Sequence, residues 1–325
     1  VGPHGSATPR AVARKLRVDA AVIGECEEVI ADLASTPRSA WDRVESIARV
    51  DDRGDVSVQG GPRSSRIEEL PALAWSDADL ARHRHHHHRF DAPPAGPGAE
   101  IEWSRGCPYR CTFCNKERFR NAYRKRPLAV VLDEIDRLIA QGVEYVYFID
   151  EIFLPDRALL EALASRRVGF GAQLRIDHWT PETLALLGRA GCRSIEAGVE
   201  SVSDLGRSLM ARRCHRHIEE LTELLVLAKR HVPFVQASLI DVGVDAEDEV
   251  AAWRARLLDA GVWPSRPVPM FPYPGTPDYA ARWGAPDDDA WERAHEEYIA
   301  RWSRLTDAQD ARPLSLATLE GALAR

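Results

Sequence analysis

Ile101-Glu102-Trp103-Ser104-Arg105-Gly106-Cys107-Pro108-Tyr109-Arg110-Cys111-Thr112-Phe113-Cys114 is a short strand-like run that breaks at a glycine and then places three cysteines within eight residues. Loops of an α/β fold gather at the carboxyl ends of its strands, so a reactive loop in this position is where such folds put their chemistry. Downstream, apolar strand-like runs continue at Val143 to Ile149, Gly169 to Ile176, Arg193 to Val199, Phe234 to Ile240 and Pro267 to Phe271. Helical patterns lie between them, with end signals such as Thr180 as N-cap before Pro181 and Gly191 past the end; Pro127 and Gly142 bracket another helix. Strand alternating with helix predicts a parallel sheet. Six units are fewer than the eight of a closed barrel, so an α/β fold of the partly open (β/α)6 barrel type is expected, with a doubly wound open sheet as the alternative.

Upstream, Val18 to Glu25 reads as a strand ending in a tight turn at Gly24, followed by a helix from Glu27 to Leu33. Residues 51 to 74 read as a short hairpin and polar connection, with Asp52-Arg53-Gly54 as the turn and Pro62 and Pro71 as breakers. The run His83-Arg84-His85-His86-His87-His88-Arg89 precedes Pro93, Pro94, Gly96, Pro97 and Gly98, which mark a boundary. Consecutive imidazoles rarely converge on one ion, so a surface loop is expected there first, a substrate or cobalamin contact second and a metal site last. His178 and His215 are expected to be structural or peripheral. The divisions are therefore 1–50, a linker 51–99, a barrel 100–285 and a helical tail 286–325, in which Asp287 to Leu305 reads as an amphipathic helix packed on the outside. The opening Val1-Gly2-Pro3-His4 lacks an initiator Met and looks like a chain already leaving a strand, which gives the expectation of a truncated sequence.

With 325 residues, 45% hydrophobic and 29% charged, the chain can bury a sizeable core. Its formal charge of -7 leaves no overall basic surface for a phosphate backbone, so no nucleic-acid partner is expected, and a small-molecule or peptide-like substrate fits better. No apolar stretch approaches the roughly 20 residues that span a bilayer, and no signal region opens the chain, so no membrane partner and a cytoplasmic location are expected. Six cysteines are too sparse for a disulfide framework. Three thiolates on one loop can instead hold three irons of a cubane cluster and leave the fourth open to a chelating ligand. Structural zinc is the competing reading, but it asks for four ligands, and Cys192 and Cys214 stand apart from any second pair.

The spacing of Cys107, Cys111 and Cys114, with the aromatic Phe113 before the third, resembles the signature of the radical S-adenosylmethionine superfamily. The resemblance implies a [4Fe-4S] cluster whose open iron takes the amino and carboxylate groups of S-adenosyl-L-methionine. An electron from an external donor then breaks a carbon-sulfur bond and yields a 5′-deoxyadenosyl radical. By the same resemblance Asp150 or Glu151 would receive the methionine amino group, Glu200 and Ser201 would bond ribose or carboxylate, and Arg175 and Asp177 would face the same mouth. Pro274-Gly275-Thr276-Pro277 resembles a turn of those members that carry a cobalamin-binding domain. Val1 to His4 and Val18 to Glu25 resemble the last part of that Rossmann-like domain, which would make Gly2, Pro3, Gly24 and Glu25 cobalamin contacts and residues 1–50 a partial unit. Ile240 to Asp245 departs from the pattern of the family's fifth strand. The resemblance thus implies an enzyme, a cobalamin-dependent C-methyltransferase; rearrangement or cyclisation without methyl transfer, and an iron-sulfur electron-transfer or sensing module, are the alternatives.

Overall fold

The computed structural model describes residues 1–51, 53–83 and 96–309. It opens with helices α1 (Pro3–Ala7) and α2 (Pro9–Leu16), each with proline in its first turn, where the missing N–H costs nothing. The chain start is thus helical rather than the exit of a strand. Strand β1 (Ala21–Val22), helix α3 (Glu27–Ser35) and the hairpin β2 (Ile47–Val50) and β3 (Val56–Gln59) follow. The expected strand-turn-helix is present, with its strand trimmed to two residues. β1 pairs antiparallel with β2 (Ala21↔Ala48) across the connection that holds α3; β2 also pairs antiparallel with β3 (Ile47↔Gln59), as the short hairpin loop between them requires. Among the described residues the one parallel element here is the bridge Gly24↔Arg63, so Rossmann-like character in residues 1–50 is confined to the strand-turn-helix. Gly24 sits at φ +89, and a Cβ there would collide with the Arg63 carbonyl oxygen. Helix α4 (Asp77–Arg82) closes this part, capped by Ser76 accepting from the Asp79 N–H. The histidines 85–88, the prolines 93 and 94, Asp52 of the turn, and the tail from 310 onward lie outside the described residues.

The larger unit begins with β4 (Gly98–Ile101), the small antiparallel pair β5 (Ser104–Arg105) and β6 (Arg124–Lys125), then α5 (Leu128–Ala140), β7 (Tyr145–Phe148), α6 (Arg157–Ala164), β8 (Gly169–Leu174), α7 (Pro181–Arg189) and β9 (Cys192–Glu200). Helices α8 (Asp204–Leu209) and α9 (Ile218–Lys229), β10 (Phe234–Asp241), α10 (Glu247–Asp259), β11 (Trp263–Pro264), β12 (Val268–Pro269), α11 (Pro277–Trp283) and α12 (Ala290–Gln309) complete it. The sheet order is β11-β10-β9-β8-β7-β4, with β12 also pairing β10, and every pairing is parallel. Each of the six expected strands is present, and the last is preceded by the extra short strand β11.

Successive strand residues point to opposite faces, and the two faces differ in kind. One carries Val146, Phe148, Phe170, Ala172, Ile195, Ala197, Val235, Ala237 and Leu239, all buried in the main core. Helices supply the other side of that core: α5 contributes Val131, Ile135 and Leu138 at helical spacing, and α7, closed by the Thr180–Thr183 capping box, contributes Leu184 and Leu187. Phe148 packs edge-on to Phe170 at 5.5 Å, and Phe153 stacks on Trp179 at 6.3 Å; full burial of each such ring is worth about 2 kcal/mol. The opposite face carries Tyr145, Tyr147, Gln173, Ser194, Glu196, Gln236 and Ser238. Register puts Gln173, Glu196 and Gln236 in one row across β8, β9 and β10. That polar concave face lines the interior of the open barrel.

Candidate active site

At the carboxyl ends of these strands lies a cavity of about 310 Å³. Its wall includes Cys107, Cys111 and Cys114, together with Phe113, Glu151, Arg175 and Glu200. The cysteine loop is positioned by its neighbours. Gly106, at φ +80, turns the chain where a Cβ would collide with the Ala122 carbonyl oxygen. The Thr112 N–H donates to the Met210 carbonyl at 3.0 Å, and Thr112 Oγ1 donates to Asp278 at 3.1 Å. All three thiols are free and half-buried, and burial pushes each above the ordinary cysteine range.

Among the described residues no group of three His, Cys, Asp or Glu side chains converges closely enough to hold a single metal ion. Three thiols on one cavity wall, set apart from one another, fit a polynuclear cluster better than a closed mononuclear zinc site. Loading such a group would release protons from thiols that burial keeps protonated.

The two acids after β7 part company. Glu151 reaches the cavity, its Oε1 accepting from Arg120 at 2.8 Å and its Oε2 from the Gly106 N–H at 2.7 Å. Asp150 is buried beneath the loop instead, accepting from the Trp103 N–H at 2.9 Å, the Ser104 N–H at 2.7 Å and the Ser104 hydroxyl. Burial pushes its carboxyl up to about 8 against the pull of those hydrogen bonds. Asp150 therefore braces the loop, and Glu151 alone of the pair is placed to meet a ligand.

Glu200 and Ser201 separate in the same way. Glu200 lies at φ +71, a left-handed conformation uncommon for a non-glycine residue, where the register of β9 against β10 shifts. Its Oε1 accepts from Arg212 Nη1 at 2.7 Å, and Gly198 leaves it room, since a Cβ there would collide with that oxygen. Ser201 turns inward, donating to Asp245 at 2.8 Å and crowding Gly206 of α8. Its place is in the turn that starts α8, not on the cavity wall.

Arg175 forks onto Asp177, Nε to Oδ1 at 3.1 Å and Nη2 to Oδ2 at 2.7 Å, and its guanidinium carbon sits 4.0 Å above the Tyr109 ring centre. Tyr109 in turn bonds His178, which is thereby peripheral but supports a cavity residue. Tyr109, Ile152, Gln173, Glu196, Arg212 and Ser238 also line the cavity, and no sequence motif singles them out. The polar-apolar alternation of β8, β9 and β10 is the available signal for Gln173, Glu196 and Ser238, since parallel strands covered on both faces read as continuous apolar runs. Arg212 arrives from the loop after α8 and leaves no periodic trace.

The N-terminal residues do not reach this wall. Gly2 accepts from the Ser6 N–H and hydroxyl as α1 begins, with Pro3 as its first residue. Gly24 donates its N–H to Ser6 Oγ at 2.8 Å, and Glu25 is buried in ion pairs with Arg105 and Arg124. Gly24 and Glu25 are thus committed to protein contacts. No helix among the described residues is long and apolar enough to cross a membrane.

Comparison with known proteins matches residues 101–251 to the Radical SAM superfamily. An uncharacterized methyltransferase of Pyrococcus horikoshii is 25% identical over 214 residues, covering 62% of this chain and 45% of that protein. The hopanoid C-2 methylase of Rhodopseudomonas palustris is 27% identical over 162 residues, covering 46% of this chain and 31% of the methylase. These matches span less than half the length of either relative. Among solved structures, the radical S-adenosylmethionine methyltransferase TsrM from Kitasatospora setae, with tryptophan and an S-adenosylmethionine analogue bound, superposes with a TM-score of 0.67 at 20% identity over 85% of this chain and 56% of TsrM. The cobalamin-dependent S-adenosylmethionine radical enzyme OxsB gives 0.59 at 21% identity over 78% of this chain and 38% of OxsB. Open parallel sheet and cysteine loop at its carboxyl end agree with that match: residues 101–251 carry the Radical SAM superfamily domain.

Proposed function

We propose that this protein binds a [4Fe-4S] cluster through Cys107, Cys111 and Cys114, cleaves S-adenosyl-L-methionine reductively, and uses the radical for cobalamin-dependent methylation of carbon in a small-molecule substrate. The observation that carries the reading is the convergence of three loop thiols, Glu151, Arg175, Glu200 and Arg212 on one cavity. When bound, the cluster would supply the electron that breaks the carbon-sulfur bond. The residues supply placement. Glu151 offers a carboxylate to an ammonium group, and the Arg212–Glu200 pair offers a hydrogen-bonding edge to a ribose or carboxylate. The cavity lies between the cysteine loop and the polar row of the barrel interior, which leaves the substrate side to Gln173, Glu196 and Ser238.

Support for methyl transfer comes from the named methyltransferases among the relatives and structural neighbours. Because the chain covers only part of them, and Gly24 and Glu25 are held in protein contacts, cobalamin is the element most open to test. The experiment is anaerobic reconstitution with iron and sulfide, then incubation with reductant and S-adenosylmethionine, with and without cobalamin. 5′-Deoxyadenosine that disappears in Cys107→Ala, Cys111→Ala and Cys114→Ala proteins is the expected result. S-adenosylhomocysteine appearing only with cobalamin is the expected mark of methyl transfer; deoxyadenosine without it would turn the reading to rearrangement or cyclisation. A fully loaded cluster with no cleavage would overturn the enzyme reading in favour of electron transfer or sensing.

A further inference from the structure

An unbroken series of charged side chains runs from the N-terminal unit to the cavity wall. Glu25, in the turn after β1, has only 1% of its side chain exposed. It accepts from Arg105 Nη1 at 2.8 Å and from the Ser65 N–H at 3.0 Å, and Arg124 closes on its other oxygen. Arg105, two residues before Cys107, forks onto Glu102, Nε to Oε1 at 2.9 Å and Nη2 to Oε2 at 2.7 Å. Glu27 also reaches Arg105 at 2.8 Å. Glu102 Oε1 stands 3.3 Å from Arg120 Nη1, and that same nitrogen donates to Glu151 at 2.8 Å. Glu151 returns to the loop through the Gly106 N–H.

Two features make this more than a brace. Arg105 has Nε, Nη1 and Nη2 all engaged by carboxylates, so its planar fork has one orientation, and the backbone that follows it at Gly106 aims its N–H at Glu151. Among the described residues the series also lacks one cation: Glu25, Glu27, Glu102 and Glu151 face Arg105, Arg120 and Arg124. Glu25, Arg105 and Glu102 form its buried centre, and the series meets the cavity at Glu151.

We propose that Glu25 is a positioning residue for Glu151. Acting through Arg105, Glu102 and Arg120, it fixes the orientation of that carboxylate and thereby sets how tightly the cavity takes the ammonium group of a ligand. The inference rests on the reading of this cavity as the S-adenosylmethionine site. It assigns Glu25 to the coupling of the N-terminal unit to that site, rather than to contact with a cofactor.

The test compares wild-type chain with Glu25→Gln, Arg120→Gln and the double variant. In the iron-loaded protein, S-adenosylmethionine affinity is read by equilibrium dialysis, and the reduced cluster by its paramagnetic resonance spectrum with and without S-adenosylmethionine. In the metal-free chain, amide hydrogen exchange is read at Gly106. Each single variant is expected to keep the iron content while weakening binding and speeding Gly106 exchange roughly tenfold, and the double variant to lose little more than either single one. Wild-type affinity and exchange in a fully loaded Glu25→Gln protein, or strictly additive losses in the double variant, would overturn the proposal. Should Glu25→Gln fail to take up iron, Glu25→Asp, which keeps the charge but shortens its reach, decides: weakened binding in the loaded protein supports the inference and wild-type binding overturns it. A loaded wild-type chain whose spectrum ignores S-adenosylmethionine would instead overturn the reading of the site, and this inference with it.

Discussion

Asp150 and Glu151 stand side by side in sequence and do unlike work, one bonded to the backbone of Trp103 and Ser104, the other at the cavity. The sequence marks both as acids at a strand end; which one turns inward depends on where the next loop offers N–H groups. Asp177 illustrates the energetic side. Burial alone would raise its carboxyl, but the fork with Arg175 more than reverses this and holds it below the ordinary aspartate range. A depressed carboxylate stabilises the fold at pH values above its unfolded value and loses that contribution as pH falls through the folded value. Asp177→Asn, which takes the carboxylate from a buried guanidinium still held by the Arg212 carbonyl and the Tyr109 ring, is therefore expected to cost about 3 kcal/mol at pH 7 in the metal-free chain. The gap between wild type and variant in urea unfolding is expected to narrow once pH falls below about 4, the unfolded value, and to close only as pH passes the lower folded value. A gap that persisted unchanged in acid would show that the fork owes nothing to charge.

Elements rather than residues decide where the cysteines stand. The loop is held by the β5–β6 pair, and the turn at Gly106 admits no side chain because the Ala122 carbonyl lies where a Cβ would go. Gly106→Ala is expected to cost about 2 kcal/mol or more through left-handed strain and that contact, and to lower iron uptake on reconstitution. Both are measurable, by urea unfolding and by iron per chain; normal uptake would mean the hairpin does not position the loop. The strands and most helix ends are legible in the sequence because apolar runs, caps and glycine stops act locally: Thr180, Pro181 and Gly191 bound α7 nearly as their residue types predict. β1 is shorter than its apolar run predicts, and the chain start is a helix where the residues suggest the exit of a strand, since neither pairing partner nor the helix at Pro3 is fixed by local pattern.

At the scale of the molecule, the first and last elements meet. Trp291 of α12 donates from Nε1 to Thr8 Oγ1 at 2.9 Å and packs on His4 at 4.3 Å and Phe271 at 6.2 Å. Lys15 adds exposed pairs with Asp289 and Glu292, which salt should weaken without much loss of stability. Trp291→Ala is expected to cost about 2 kcal/mol, less than a fully buried tryptophan would, and to speed proteolysis of residues 1–20 ahead of the barrel. Digestion that begins elsewhere would place the weak joint outside this contact.

The sequence alone determined the alternation of strands and helices, the cysteine spacing and the acids and arginine that follow the strands, because periodicity, turn chemistry and metal ligation are set by residue types at short separations. Tertiary structure decided the rest: that Glu151 and Glu200 face the cavity while Asp150 and Ser201 turn away, that Arg212 and Tyr109 join them, and that Glu25 is tied to Arg105 eighty positions later. Those outcomes depend on which charges and hydrogen-bond donors distant segments bring together, and burial gives such pairings their strength.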